Sequence, residues 1–350
     1  MRKAMTILLI ILAVVAVVAI TAMLVLRHPA FGRRMSAEHK ARIEASPNYR
    51  DGMFQNEEPT PQFSRSMPAM LWDFITNPPK DRTPKEPLPA VKTDLKNLPT
   101  DRDWLVWFGH SSYLFCLNGK RYLVDPVLKM EFPASVMMKP FAGTDIYTPD
   151  DMPDIDVLII THEHWDHLDY ATLRDLRSKV HRVVCPLGVA EYLEYWKYDK
   201  AIITEMDWND EYNGITCLPT RHFSNRLLGG RNQTLWAAFM VEDGGRKVYV
   251  GGDGGYDGRF KRVREQFGQV DLALLENGQY NNDWPLIHST PEGLEHAILD
   301  LQAKAVFTVH HDKFALAKHP WSEPDSVARS IAERNSINLL DQPIGTVIYF

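Results

Sequence analysis

Residues 161–169 read T-H-E-H-W-D-H-L-D and directly follow the apolar run of residues 155–160. His162, His164, Asp166 and His167 fall within this short stretch. Imidazole and carboxylate groups are ligands that suit zinc and similar divalent metals. On a loop at the end of a strand, His162 and His164 can converge on one metal while Asp166 and His167 turn toward a second. These four side chains have no packing purpose at a strand end, so the stretch predicts a metal site and not merely a polar turn.

The composition of the 350 residues narrows the class of protein. A hydrophobic content of 45% and nine tryptophans allow a sizeable core. A formal charge of -6 gives no reason to expect nucleic acid as a partner. Cys116, Cys185 and Cys217 are odd in number and lack CxxC spacing, so they are interpreted as buried thiols.

The N-terminal segment, residues 1–27, has the pattern of a membrane anchor. Residues 6–26 are uncharged and apolar, close to the ~20 residues that cross a bilayer as a helix. The apolar run continues beyond Ala19-Ile20-Thr21, an acceptable cleavage site, so we expect an uncleaved single-pass helix, with a cleaved signal as the alternative. Basic residues stand on both sides of the run, so the sequence does not set which side of the membrane carries the rest of the chain.

Residues 28–100 form a second region, a Pro-rich arm. Residues 59–99 hold nine of the 23 prolines, which predicts an extended arm wrapping over the surface and containing neither a helix nor a central strand. Residues 67–75, rich in Met and aromatic side chains, are interpreted as packing on the domain or as contacting the membrane interface. Residues 101–350 alternate strand and helix patterns and form one α/β domain, with too many strands for a single parallel sheet.

Three further candidate ligands follow apolar, strand-like runs later in the chain: His222, Asp253 and His310. The glycines around Asp253 allow close approach of the backbone. A carboxylate there can bridge two metals about 3.5–4 Å apart. His311 and His319 are weaker candidates, because adjacent strand residues such as His310 and His311 point in opposite directions.

The chain resembles the metallo-β-lactamase superfamily, whose H-x-H-x-D-H motif stands here at residues 162–167. Residues 107–114 (W-F-G-H-S-S-Y-L), 231–236 (R-N-Q-T-L-W), 251–256 (G-G-D-G-G-Y) and 288–292 (H-S-T-P-E) are similar to N-acylphosphatidylethanolamine-hydrolysing phospholipases D and their bacterial relatives. This resemblance implies an α/β fold, a four-layer αββα sandwich of two mixed sheets flanked by helices, preceded here by the transmembrane helix.

The resemblance also implies a division of ligands between two Zn²⁺ ions, with another divalent metal as the alternative. His162, His164 and His222 would hold one zinc; Asp166, His167 and His310 would hold the other; Asp253 would bridge them. His288 resembles a histidine near the substrate phosphate, expected to bind the phosphoryl group or protonate the leaving oxygen. The alternative for His288 is a hydrogen bond tying its loop to the helix that begins at Pro291. Asp166 is a second group able to orient the nucleophile.

This chain departs from the usual family sequence at two places. Residues 310–314 read H-H-D-K-F where the family usually has H-W-G-T-F, and Gly254 replaces a threonine. The candidate ligands are retained, so these departures bear on the substrate and not on the metals.

The function implied is a zinc-dependent phosphodiesterase of phospholipase D type, in which a metal-bound hydroxide attacks the phosphorus of an N-acylphosphatidylethanolamine-like lipid. The expected partners are a phospholipid or other phosphodiester substrate, the membrane (the cell inner membrane if the source is bacterial) and a second copy of the chain in a homodimer. The alternative enzyme is a hydrolase of a soluble ester, lactone or cyclic phosphodiester. A non-catalytic membrane scaffold would be expected to lack ligands, and none is missing.

Overall fold

The structure, a computed structural model, describes residues 2–226 and 230–350. Its helices are α1 (Arg2–Leu26), α2 (Ala37–Glu44), α3 (Met67–Thr76), α4 (Ala134–Met137), α5 (Tyr170–Leu176), α6 (Ala190–Tyr195), α7 (Arg259–Phe267), α8 (Pro291–Leu301) and α9 (Glu323–Asn335). Its strands are β1 (Tyr49–Arg50), β2 (Met53–Phe54), β3 (Trp104–Trp107), β4 (Tyr113–Leu117), β5 (Lys120–Val124), β6 (Val157–Ile159), β7 (Val183–Pro186), β8 (Ile203–Met206), β9 (Glu211–Tyr212), β10 (Ile215–Leu218), β11 (Ala238–Asp243), β12 (Arg246–Val250), β13 (Leu272–Glu276), β14 (Ala305–Val309) and β15 (Val347–Tyr349).

Two mixed sheets dominate the described part of the chain. The first has the strand order β15-β3-β4-β5-β6-β7-β8, and the second has the order β14-β13-β12-β11-β10-β9. In the first sheet β5, β6, β7 and β8 run parallel, and in the second β12, β13 and β14 do so. Parallel strands end at the same edge of a sheet, so loops that follow them are brought together there.

The packing of apolar residues defines four layers. Phe115 and Val124 of the first sheet pack with Phe239 and Phe307 of the second in the core between the sheets. The outer face of the first sheet packs on α5 and α6, and that of the second sheet on α7, α8 and α9. The αββα sandwich expected from the resemblance is confirmed.

Local signals in the sequence explain where several elements begin and turn. Asn118 and Gly119 both have positive φ, +48° and +81°, as the two-residue hairpin between β4 and β5 requires. The Thr290 side chain accepts a hydrogen bond from the backbone N–H of Gly293 and caps α8, which has Pro291 in its first turn.

Helix α1 has the length and composition to cross a membrane. Its apolar window, Met5–Leu26, makes no contact that buries it against the rest of the chain. Residue 1 of the predicted anchor segment lies outside the described residues. An exposed helix of this length is stable in a bilayer, where its backbone groups are bonded internally.

The arm contains a helix, and the prediction that residues 59–99 form none was wrong. Helix α3 lies between the prolines, and Pro68 falls in its first turn, where a missing N–H costs nothing. Elsewhere the arm crosses the domain surface: Phe54 enters the core between the sheets, and the Val91 N–H donates to the carbonyl of Ile344 at 2.8 Å.

Helix α2 is held to the domain by a buried histidine among carboxylates. His39 Nδ1 lies 3.3 Å from Glu205 Oε2 on β8, and its Nε2 lies 3.1 Å from Glu194 Oε1 on α6. Glu191 Oε2 is 3.8 Å from the same ring, and Arg42 also contacts Glu205, at 2.9 Å. The hydrogen bond to Glu205 raises the pKa of His39 against the opposing effect of burial.

We predict that the attachment of α2 weakens in alkaline solution. The folded pKa of His39 is raised, so its stabilisation is fully present below about pH 6.5 and is lost as the pH rises through the raised value. The expected loss is on the order of 1.5–3 kcal/mol, typical of hydrogen bonds to charged groups. Amide hydrogen-exchange protection of α2, corrected for intrinsic rates, should fall over this range, and His39→Gln should remove the pH dependence. Replacement of the exposed His181 by Gln is the control. Identical profiles in the parent and His39→Gln would contradict the prediction.

Candidate metal centre

The loop that carries the histidine motif is fixed at both ends. It leaves the buried strand β6 and enters α5, where the Asp169 side chain accepts a hydrogen bond from the Thr172 N–H at 2.9 Å. Arg226 further braces it, donating to the carbonyl of Glu163 at 2.8 Å. The motif side chains are therefore oriented by the strand before them and the helix cap after them.

Three imidazoles form a first cluster. His162 Nε2 lies 2.9 Å from His164 Nδ1, which lies 3.2 Å from His222 Nε2. These separations are close to the ~3.3 Å expected between two ligand atoms of a tetrahedral zinc site, each bound at ~2.0–2.1 Å from the metal. His222 comes from the loop after β10, so the cluster joins the two sheets.

Two carboxylates and two imidazoles form a second cluster. His310 Nε2 lies 3.4 Å from Asp166 Oδ2 and 3.0 Å from Asp253 Oδ2. His167 Nε2 lies 3.6 Å and 3.2 Å from the same two oxygens. His310 follows β14 and Asp253 follows β12, as the strand pattern predicted.

Asp253 lies between the clusters. Its Oδ2 is 4.0 Å from the Nε2 atoms of both His162 and His222, in addition to its shorter distances to the second cluster. The backbone on either side is crowded: a Cβ on Gly252 would meet the Ala237 carbonyl oxygen at 2.6 Å. At position 254 the space of a side chain is filled by the hydroxyl of Thr220, which donates to the Asp253 carbonyl. Thr220 thus explains why glycine stands at 254.

The donor atoms fit a bound cation. Among the described residues, His167 Nε2, His310 Nε2 and Asp253 Oδ1 are buried without a hydrogen-bond partner. Such atoms are costly unless something compensates them. Unpartnered lone pairs that converge with carboxylates are what a divalent metal requires, and the groups offered, imidazole and carboxylate, suit zinc.

The outer nitrogens of His167 and His222 are fixed by hydrogen bonds. His167 Nδ1 lies 2.8 Å from Asp125 Oδ2, and Asp125 also accepts from the Thr161 N–H at 2.8 Å. His222 Nδ1 donates to the Ile287 carbonyl at 2.7 Å. Partners of this kind fix which ring nitrogen carries the proton and leave the other free to bind metal.

The electrostatics favour neutral imidazoles in the first cluster. Burial lowers the pKa of His162 and His164 well below the ordinary value and that of His222 to about 4. Neutral rings at neutral pH offer the lone pairs that metal ligation needs.

His288 lies beside the second cluster. Its Nδ1 makes a short contact with Glu276 Oε1 and lies 3.9 Å from Asp253 Oδ2, and its ring stacks on that of His310. The side chain is 14% exposed. Glu276, at the end of β13, holds the ring. The structure does not show the predicted alternative, a hydrogen bond from His288 that joins its loop to the helix beginning at Pro291.

Besides Asp125, three residues at the site were not predicted from the sequence. His110 is fully buried, with Nε2 at 2.8 Å from Asp166 Oδ2. Glu276 accepts from the Gly254 N–H at 2.7 Å in addition to contacting His288. Asn56, in the arm, exchanges hydrogen bonds of 2.8 and 3.1 Å with the backbone of His222. The signal for His110 was the polar sequence G-H-S-S after β3, and that for Glu276 was a carboxylate ending an apolar strand; Asn56 offered none.

The weaker histidine candidates lie away from the two clusters. His319 Nε2 accepts from the Gln279 N–H at 2.8 Å and ties two loops together. His311 lines a cavity whose lining does not include His310.

A four-layer αββα domain with a buried histidine and carboxylate cluster at one sheet edge has the architecture and the donor set of a metal-dependent hydrolase. The sequence model described as the beta-lactamase superfamily domain matches residues 120–311, more than half of the chain. The chain belongs to this superfamily, and the fold implies a divalent metal site.

Relatives and a solved structure agree with this assignment. An uncharacterized protein of Mycobacterium tuberculosis is 34% identical over 320 residues, which cover 87% of this chain and 84% of the relative. The mitochondrial N-acyl-phosphatidylethanolamine-hydrolyzing phospholipase D of Saccharomyces cerevisiae is 30% identical over 247 residues, 65% of this chain and 51% of the relative. Igni18, a metallo hydrolase from the archaeon Ignicoccus hospitalis, superposes with a TM-score of 0.53 at 18% identity, covering 71% of this chain and 98% of that one.

We predict that His164→Ala lowers the metal content of the purified protein by about one ion per chain and the hydrolytic rate at least 100-fold, because the first cluster loses one of its three ligands. Elemental analysis measures the metal, and circular dichroism checks that the fold is retained. His296→Ala, which removes an exposed histidine from α8, should leave the metal content unchanged. Full metal content in His164→Ala would contradict the ligand assignment.

Proposed function

We propose that this protein is a two-zinc phosphodiesterase of phospholipase D type that hydrolyses membrane phospholipids, with N-acylphosphatidylethanolamine-like lipids as the favoured class. The observation that carries the proposal is the position of Asp253 Oδ2 within 4.0 Å of donor nitrogens in both clusters. The similarity to a phospholipase D that hydrolyses this lipid class supports the choice of substrate.

The residues divide into ligands and groups that position them. His162, His164 and His222 would hold one zinc, Asp166, His167 and His310 the other, and Asp253 would bridge them. The metals would supply an activated water and neutralise charge on the phosphoryl oxygens. His110 holds Asp166 by the 2.8 Å contact and leaves its second carboxylate oxygen available to orient the attacking water.

His288 is the candidate group for the leaving oxygen. Its ring is held by Glu276, which keeps one nitrogen occupied while the side chain stays partly accessible. In its protonated form the imidazole can donate a hydrogen bond to the phosphoryl group or a proton to the alkoxide that leaves.

The segment that directly follows the apolar helix lies against the motif loop, which supports a lipid substrate. Phe31, five residues after α1, packs its ring edge-on against Trp165 at 5.1 Å, between His164 and Asp166 in sequence. The His28 ring contacts Phe132 at 5.5 Å, and the nearby Val136 is 76% exposed. A helix embedded in the bilayer would hold the candidate site and these apolar side chains close to the lipid surface.

Helix α3 presents a second exposed apolar surface linked to the site. Leu71 and Trp72 are 61% and 69% exposed. Asp73 on the same helix pairs with Lys318 at 2.9 Å, which also pairs with Asp283 at 2.8 Å in the loop that leads to His288. An aromatic and aliphatic surface of this kind suits the membrane interface.

The most informative experiment is incubation of the full-length, detergent-solubilised protein with a total lipid extract. Mass spectrometry should show that an N-acylated ethanolamine phospholipid disappears while phosphatidic acid and an N-acylethanolamine appear. Chelation should stop the reaction and added Zn²⁺ should restore it. Unchanged phospholipids together with hydrolysis of a water-soluble ester, lactone or cyclic phosphodiester would reject the lipid proposal in favour of a soluble substrate.

We also predict that the double change Leu71→Ser and Trp72→Ser slows hydrolysis of phospholipid in vesicles about tenfold, since each apolar side chain contributes ~1.5–3 kcal/mol when fully buried and the interface buries them in part. Hydrolysis of a water-soluble phosphodiester should be unchanged, because both side chains are exposed and neither is a candidate ligand. Leu299→Ser, which alters an exposed leucine on α8, is the matched control. Equal slowing of both substrates would point to a folding defect and contradict an interfacial role.

A further inference from the structure

A further group of potential ligands, outside the two clusters described above, lies directly after His310. His311, Asp312 and Asp325 offer donor atoms within 4.8 Å of one another. They line a cavity of about 240 Å³ whose lining, among the described residues, includes none of the seven candidate ligands of the hydrolase centre. Asp325 belongs to the first turn of α9, so the group joins that helix to the turn that carries His310.

The histidine of this group is oriented as a metal ligand. His311 is 4% exposed, and its Nε2 lies 3.2 Å from the carbonyl oxygen of Thr308, to which it donates. That hydrogen bond leaves Nδ1 with its lone pair. Among the described residues, His311 Nδ1 and Asp312 Oδ1 are both buried without a hydrogen-bond partner. A buried ring nitrogen without a hydrogen-bond partner is unfavourable unless another group, such as a cation, binds it.

The distances fit one small cation. His311 Nδ1 lies 3.4 Å from Asp312 Oδ2 and 3.7 Å from Asp325 Oδ1. Two ligands bound tetrahedrally at ~2.1 Å from a metal are about 3.4 Å apart. Both separations are long for a direct hydrogen bond, which is made at 2.7–3.2 Å. The distances therefore agree better with three ligands around one metal ion than with direct hydrogen bonds between the side chains.

The cavity has an excess of negative charge, which favours the binding of a cation. Arg329 lines the cavity, but its Nε pairs with Asp341 at 2.7 Å. In the described part of the chain, His311 is the only basic side chain within 4.0 Å of the carboxylates of Asp312 and Asp325. His311 and Asp312 are also two of the positions at which the chain departs from the usual family sequence.

We propose that His311, Asp312 and Asp325 form a third metal site, separate from the hydrolase centre, that binds one divalent transition-metal ion such as Zn²⁺ or Mn²⁺. One imidazole with two carboxylates suits these ions. The ion would fasten the first turn of α9 to residues 310–312. His310 and Asp312 both have positive φ, +74° and +58°, so the turn that the ion would hold is an otherwise unfavourable one.

The test is metal stoichiometry of the full-length protein, stripped with chelator, reloaded and freed of excess metal. Asp325→Asn and His311→Gln should each bind one ion fewer per chain than the parent. Any Mn²⁺ that these variants still bind at this site should be bound with at least tenfold lower affinity. Asp341→Asn is the matched control, because Asp341 lines the same cavity but pairs with Arg329; it should bind as many ions as the parent.

The same measurement on His164→Ala/Asp253→Asn separates this site from the hydrolase centre. That protein should retain one bound ion, and adding Asp325→Asn should remove it. Unchanged stoichiometry in both Asp325→Asn and His311→Gln would overturn the proposal and leave a protonated histidine paired with two carboxylates. An equal loss in Asp341→Asn would overturn it as well, since binding would then reflect general acidity of the cavity.

Discussion

The carboxylate of Asp253 sets the constraint on which the catalytic end of this domain depends. Its Oδ2 lies within 4.0 Å of ring nitrogens from five histidines, four of which are buried: His162, His167, His222 and His310. Carboxylates and imidazoles packed this closely and removed from water are stable only if a cation or shared protons balance them. The contacts to Asp125 and the Ile287 carbonyl therefore do more than orient individual rings. They hold the ligand side chains in place even though removing these polar groups from water is unfavourable. This is the preorganisation that metal catalysis requires.

The candidate ligands come from both sheets, so the site exists only when the sheets are docked. The motif loop follows β6 of the first sheet, and His222, Asp253 and His310 follow strands of the second. The separation between the two groups is fixed by the core between the sheets, which includes Phe115 and Phe239. Protein cores are close-packed and transmit displacement, so volume changes well inside the sandwich alter the geometry at its edge.

The sequence predicted those parts of the site that depend on local pattern. The motif and the three later ligands each follow an apolar strand, and strand ends can be located from periodicity. The pairing of the sheets is a long-range property and was expected only from the resemblance. His110 and Asn56 could not be assigned, because their roles depend on chain segments that meet only in the fold. Helix α3 was missed because proline content was weighed without position: Pro68 sits where a helix tolerates it.

The contact between Asn56 and His222 has a consequence for how the α/β domain can be separated from helix α1. Residues 120–311, the range matched by the superfamily, exclude β3, β4 and the whole arm. A fragment cut at that boundary would lose Phe54 from the interior and the two hydrogen bonds that brace the His222 backbone. A fragment that lacks the apolar helix but keeps these contacts would have to begin between the end of α1 and the start of α2. Limited proteolysis within residues 45–100 should therefore disrupt the site, whereas cleavage just after Leu26 should remove only the helix.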